Sequence, residues 1–369
     1  EGNVVVNSSE INAFVIGSNE IFYAIDIPHG KVYKSTTGGV ARKDKPAWED
    51  KSEKLEEDAD ANLPAWDIAV APDDPELVAV VTNNRTAVYV SEDGGEEWNA
   101  MAMPDLKNTL ISDIAISPEY DNNRDIAIGT RMPSNATNGD VWVRELYGFG
   151  EWELELDKDV TSFRFSPDYD AYETIVAIAS NTTGTYLYSR CRIDSVWEDW
   201  ISPVEISETS GDSPKEDEIV VSDLALPSDY SGRRAANRVV YVSYSSNTTA
   251  DDVYRIEDDD VYRLDIKHGD EVAIASIAYH GTCGGGKLLA GEVASKADSA
   301  TALIHICSNP KGYFPKWKEP TEPPTGGAIS GRANAQLAWS ADGKTAYCAT
   351  SSNNVTCAAD WADPAKWSG

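Results

Sequence analysis

One pattern constrains this chain more than any other feature. An apolar strand-like run is followed by a second run, then by a third that ends in polar or Gly residues, and in most copies by a Trp. The clearest copy begins Asp67-Ile68-Ala69-Val70-Ala71-Pro72 and continues through Leu77 to Val81 and Ala87 to Val90. It ends Ser91-Glu92-Asp93-Gly94-Gly95-Glu96-Glu97-Trp98. The pattern recurs about seven times, and repeats of roughly 40–50 residues with four short strands each are how a β-propeller announces itself in sequence.

The first run of each unit has an apolar-small-apolar core: Ile68-Ala69-Val70, Ile114-Ala115-Ile116, Phe163-Arg164-Phe165, Leu224-Ala225-Leu226, Ile277-Ala278-Tyr279 and Leu337-Ala338-Trp339, with Asn12-Ala13-Phe14 a weaker first copy. Small residues suit inner strands that crowd around a narrow channel. Ala71-Pro72, Ser117-Pro118 and Ser166-Pro167 end three of them, because Pro cannot donate to a ladder. The second runs, such as Leu77 to Val81 and Ile175 to Ala179, are continuously apolar, as buried middle strands are. The third runs alternate, and the fourth begins near Trp48, Trp98, Trp152, Trp197 or Trp200, Trp317 and Trp367, with Tyr262 in the fifth unit. A large aromatic there can wedge between neighbouring blades. The expected fold is all-β: one seven-bladed propeller of four-stranded antiparallel blades over residues 1–369. Glu49 to Ala61, with Leu55 its one large apolar residue, reads as a solvated connection rather than a packed helix. Pro203 to Glu218 and Asn309 to Gly327 read as long polar insertions. Residues 3–6 include Val4-Val5-Val6, which has no place in the first unit's own four strands. It is expected to pair with the last blade and cover its edge.

Charge narrows the partners. With 62 Asp and Glu against 31 Lys and Arg, the chain is a poor match for nucleic acid or an anionic membrane surface. A saline habitat, calcium-dependent surface assembly and solubility alone all fit that balance. No transmembrane run, signal peptide or lipid motif lies within these residues, and Glu1 is compatible with a mature N-terminus after cleavage. Asn-x-Ser/Thr sequons occur at Asn7, Asn84, Asn135, Asn181, Asn247 and Asn354, all but the first just after a second strand. A secreted or cell-surface glycoprotein is the functional reading, and turns that favour Asn-Thr anyway are the plainer one. The five cysteines fit an oxidising compartment, with Cys283–Cys307 and Cys348–Cys357 expected as disulfides on neighbouring strands and Cys191 as a buried free thiol.

Ser91-Glu92-Asp93-Gly94-Gly95-Glu96-Glu97-Trp98 resembles the Asp-box, or BNR repeat, a turn between the third and fourth strands of a propeller blade. The resemblance gives Ser91, Asp93, Gly95 and Trp98 structural roles: the Asp accepts turn N–H groups, Gly takes the unusual φ and Trp packs into the blade. Ser35-Thr36-Thr37-Gly38-Gly39 is a degenerate copy without the Asp. Ser340-Ala341-Asp342-Gly343-Lys344 looks like a first-to-second-strand turn of WD40 or TolB-type blades. Ser117-Pro118-Glu119-Tyr120 and Ser166-Pro167-Asp168-Tyr169 look like those of bacterial exported BNR-repeat proteins. Asp-box proteins include sialidases, glycosidases, receptors and assembly factors, so the resemblance implies fold more than activity.

Chemistry is sparsely marked. The Phe/Tyr-Arg-Ile-Pro segment that a sialidase resemblance would require is missing. Gly281-Thr282-Cys283-Gly284-Gly285-Gly286-Lys287 fits the P-loop spacing, but Leu288 replaces the Ser/Thr and a strand follows, so no phosphate cradle is expected. His29, His268, His280 and His305 form no i, i+4 pair, which disfavours zinc. No cofactor is implied, although calcium could suit an acidic run such as Glu257-Asp258-Asp259-Asp260. Asp67, Asp113 and Asp223 recur at the start of the inner strand, either as a cation or substrate ring or as turn caps. The expected function is a non-catalytic structural or binding module of a surface layer, filament or adhesion complex, without membrane insertion. Its partner would be a protein or glycan, including copies of itself. The alternative is an extracellular glycoside hydrolase using a carboxylate pair at one mouth of the propeller.

Overall fold

The computed structural model describes residues 11–349 apart from 40–41, 60, 134–137, 149, 155, 195, 207–213, 216–218, 247–250, 294–303 and 320–335. The repeat becomes a series of antiparallel sheets. The first runs Ala13–Ile16, Phe22–Asp26, Lys31–Ser35, Glu49–Asp50, and the second Asp67–Val70, Val78–Thr82, Ala87–Ser91, Asn99–Ala100. The third runs Leu110–Ile116, Asp125–Arg131, Val141–Glu145, Glu153–Leu154. The fourth runs Asp159–Phe165, Thr174–Asn181, Gly184–Ile193, Val196–Asp199, with Val204–Glu205 added on its third strand. The fifth runs Ile219–Ala225, Val239–Ser246, Asp252–Glu257, Asp260–Arg263, and the sixth Ile274–Thr282, Gly285–Glu292, Ile304–Cys307, Trp317–Lys318. Gln336–Trp339 and Ala346–Ala349 form a seventh sheet of two strands among the described residues. The architecture is an all-β propeller with four-stranded antiparallel blades.

The chain divides into two compact units. Glu1–Pro104, Gly291–Ile304 and Lys318–Gly369 make one, and Asp105–Ala290 with His305–Trp317 the other. In the first unit the opening strands of the seventh, first and second sheets lie side by side. In the second unit those of the third, fourth, fifth and sixth do. Second strands such as Phe22–Asp26 and Val78–Thr82 are buried throughout, which is why they read as unbroken apolar runs. Sheets approach so closely that Gly129, at a bulge in the third sheet, has no room for a Cβ: one built there would lie 2.8 Å from Val160 of the fourth.

Several expectations change. Ser52–Ala59 is an α-helix, and its Leu55 is fully buried among Val32, Val78, Val80 and Trp98. One apolar side chain anchors it, worth about 1.5–3 kcal/mol of burial. The expected insertions contain strand: Val204–Glu205 pairs with the fourth sheet, and Trp317–Lys318, where a fourth strand was expected, is the outer strand of the sixth. Trp48, Trp98 and Trp197 are buried as wedges should be, whereas Tyr262 is exposed and lies beneath the Arg255 guanidinium. The expected Cys283–Cys307 disulfide is absent. Both are free buried thiols, directed respectively at the Asn237 carbonyl (3.2 Å) and the Asn309 side chain (3.7 Å). Cys191 is a buried free thiol as expected, and burial raises it to about 11. Cys348 is buried in the last described strand, while Cys357, Val4 to Val6 and Trp367 lie outside the described residues.

Candidate functional site

The inner-strand aspartates are latches between strands. Asp113 accepts the Ile114 N–H on Oδ1 (2.9 Å), and on Oδ2 the Phe163 N–H of the next sheet (2.8 Å) and the Arg164 guanidinium (2.9 Å). Asp223 repeats the device: Oδ1 takes the Leu224 N–H and Arg164 Nη2 (both 2.8 Å), and Oδ2 the Ile277 N–H of the following sheet (2.9 Å). Asp67 likewise accepts the Ile68 N–H (2.8 Å). Burial raises the Asp223 carboxyl above its ordinary value, with Arg164 pulling against it. Arg164 stands where the other units carry Ala or a similar small residue, and the sequence pattern did not mark it as the cation joining two sheets' aspartates. These carboxylates are spent on N–H groups and one guanidinium, an arrangement suited to holding strands in register.

The two Ser-Pro-x-Tyr turns converge on one residue. Tyr120 and Tyr169 both donate their hydroxyls to fully buried Asp125, at 2.7 and 2.5 Å. Arg192 of the fourth sheet adds Nη2 to the same carboxylate (2.9 Å) and Nε to Glu173 (2.5 Å). Desolvation, and then the Asp125 charge, raise both tyrosine hydroxyls well above their ordinary value, so they stay protonated donors.

Ser91, Asp93, Gly95 and Trp98 lie at the turn between the third and fourth strands of the second sheet. The Ser91 hydroxyl donates to Asp93 (2.8 Å) and accepts from the Gly95 N–H (2.7 Å), while Asp93 accepts the Glu96 and Glu97 N–H groups (3.0 and 2.9 Å). Partial burial works against ionisation, but those N–H groups and the Ser91 hydroxyl hold Asp93 below the usual carboxylate range. Gly94 and Gly95 have φ of 71° and 95°, where L side chains are strained. Ser35 and Gly39 keep the same hydroxyl contact (2.8 Å) without the Asp.

Of the sequons, Asn84 is exposed in a left-handed turn, and Asn181 starts the next comparable hairpin, its Oδ1 accepting the Thr183 and Gly184 N–H groups (2.8 and 3.1 Å). Asn7, Asn135, Asn247 and Asn354 lie outside the described residues. In the acidic run, Glu257 pairs with Arg255 and Lys311, and Asp258 with Arg238. Among the described residues no group of three or more His, Cys, Asp or Glu is placed to hold a metal.

Asp159 opens the fourth sheet and is buried, accepting the Gly139 N–H (2.8 Å) and the Met132 N–H (3.2 Å) of the third. Desolvation raises its carboxyl above the ordinary value. A carboxyl that binds its proton more tightly folded than unfolded contributes stability at low pH that is lost as pH rises through its folded value. Asp159→Asn should therefore gain in melting temperature relative to wild type as the pH rises above about 4. A gap between the two proteins that stays constant over that rise would contradict this.

Beside Asp159, the third and fourth sheets frame a cleft of about 480 Å³. Lys107, Asn138, Asp140, Trp142, Asp157 and Arg190 line it. Asp140 is buried, with Oδ1 accepting the Leu156 N–H (2.6 Å). Arg190 is fixed by Asp199 (3.0 Å) and by the Trp197 carbonyl (2.9 Å). Lys107, Asn138 and Asp157 are exposed at the rim. Two cations facing two carboxylates make this cleft locally balanced in a chain of formal net charge −31. None of these residues was marked from sequence. They come from loops and strands far apart in the chain.

No known protein family matches the chain in sequence, and no curated protein does. Solved structures match its shape. YCF48 from Cyanidioschyzon merolae aligns with a TM-score of 0.57 at 12% identity, covering 96% of this chain and 97% of that one. YCF48 bound to D1 peptide aligns at 0.56 and 11% identity, covering 96% of each. The Niastella koreensis GH74 enzyme aligns at 0.56 and 12% identity over 86% of this chain, which spans only 46% of that longer protein. At such identities the likeness is one of fold: this chain is a β-propeller similar to both a peptide-bound and an enzymatic one.

Proposed function

We propose that this chain is a secreted or cell-surface β-propeller of the Asp-box kind, seven-bladed, that acts as a non-catalytic binding module for a protein or glycan. The observation that carries this reading is the cleft: a buried indole, an amide and two charges of each sign line one open cavity. Its buried carboxylate, Asp140, already holds the Leu156 N–H, a positioning contact rather than that of a free acid or base. YCF48 bound to D1 peptide gives a precedent for a similar fold holding a peptide. The seventh sheet supports the blade count, and the exposed turn at Asn84 supports an extracellular glycoprotein, which intact-mass measurement of protein from its native source would test.

The binding test uses arrayed oligosaccharides and peptides, probed with wild type and with a Lys107→Ala/Asp157→Ala variant whose changes fall on exposed side chains. Wild type is expected to be retained on one of the two classes, and the variant to bind about tenfold or more weakly, a 1.4 kcal/mol loss. Equal retention would remove the cleft from this reading, and no retention on either array would contradict it. One observation favours a second reading: Asp140 and Asp157 line the same cleft, as the acid pair of a glycoside hydrolase would.

A further inference from the structure

Two turns of the second unit expose apolar side chains in fixed positions. In the sixth sheet, the turn between the third and fourth strands presents Tyr313 and Phe314, 88% and 76% exposed, packed edge to face at 4.7 Å. The turn is rigidly held. The Asn309 side chain accepts the Lys316 N–H (3.0 Å), the Asn309 carbonyl accepts the Gly312 N–H (2.9 Å), and buried Arg255 donates to the Pro310 and Gly312 carbonyls (2.6 and 3.2 Å). Lys316 stands exposed beside the rings, with no ion pair among the described residues. In the fourth sheet, the turn between the third and fourth strands presents Ile193 and Val196, register partners that are 45% and 57% exposed. Exposed Asp194 and Glu198 flank them, also with no ion pair among the described residues.

A single exposed apolar side chain is ordinary, but a preorganised aromatic pair at a turn tip has the composition of an interface anchor. The two tips are complementary, one aromatic and cationic, the other aliphatic and anionic. Both join third to fourth strands, so in a propeller they open on the same face. We propose that this face is a self-association surface: two copies meet face to face about a two-fold axis, and each copy's Tyr313–Phe314–Lys316 tip seats on the other's Ile193–Asp194–Val196 tip. The isologous arrangement makes the contact twice. The acidic Asp258–Asp259 turn of the fifth sheet, between them, faces its own copy. The dimer is therefore weak, with a Kd of roughly tens of micromolar. The inference deepens the binding-module reading on the side of copies of the same chain, and it uses no cleft residue.

Sedimentation equilibrium of the whole chain at about 0.15 M salt tests it. Wild type is expected to dimerise, and Tyr313→Ser/Phe314→Ser to weaken the dimer about tenfold or more. Lys316→Glu should weaken it too, and adding Asp194→Lys to Lys316→Glu should restore it, an outcome that mere loss of folding would not give. The Lys107→Ala/Asp157→Ala cleft variant should dimerise like wild type, which separates this surface from the cleft. A wild type that stays monomeric up to about 1 mM, or an aromatic variant that dimerises unchanged, would overturn the proposal. So would wild type that remains monomeric while binding lipid vesicles through the aromatic tip.

Discussion

Replacing Asp125 with Ala is expected to lower the melting temperature by about 5–10 °C, because removing one member of a buried ion pair costs about 3–5 kcal/mol. Asp125 is fully buried and gathers Tyr120, Tyr169 and Arg192, so its loss takes the acceptor from two hydroxyls and leaves the guanidinium with Glu173 as its remaining carboxylate. Tyr120→Phe and Tyr169→Phe each remove one neutral donor and should cost about 1–3 kcal/mol. Their sum need not equal the Asp125→Ala loss, since the three contacts share one acceptor. Thermal unfolding that moves by less than about 2 °C in Asp125→Ala would show that the network is not a fastening point between the third and fourth sheets.

Trp98 should be nearly as costly to truncate. Trp98 is 3% exposed and packs with Leu55, Val80 and Tyr89, so Trp98→Ala is expected to lose about 3–5 kcal/mol. Its indole N–H is buried without a partner among the described residues. Trp98→Phe removes that unsatisfied donor along with part of the ring, so the two changes oppose each other and the net loss should stay below about 2 kcal/mol. Chemical denaturation of the two variants separates the effects. Comparable losses in both would mean that the N–H, and not the ring area, matters at this position.

The repeat was legible because strand periodicity is local. Ile68 to Val70, Leu77 to Val81 and Ala87 to Val90 fall on the strands Asp67–Val70, Val78–Thr82 and Ala87–Ser91 almost residue for residue. The helix Ser52–Ala59 was not legible, since Leu55 alone anchors it and no apolar periodicity declares it. The Cys283–Cys307 pairing failed for a different reason. Both lie in one core, but Cys283 sits in the turn after the first strand and Cys307 ends the third, with the second strand between them, and each sulfur meets its own acceptor, Asn237 or Asn309. The Ser-Pro-x-Tyr turns were visible as twins, whereas their shared target, Asp125, depends on how two sheets pack. The cleft is further still from the sequence, because Lys107, Trp142 and Arg190 become neighbours only through that packing.

The central proposal is that this propeller binds and does not cut. Reducing ends released from a panel of soluble polysaccharides measure it most directly, with wild type set against an Asp140→Asn/Asp157→Asn variant whose folding is verified by melting. The account predicts no release by wild type above that of the variant over prolonged incubation. Sustained release by wild type that the variant loses would contradict it, and would make the cleft carboxylates a catalytic pair.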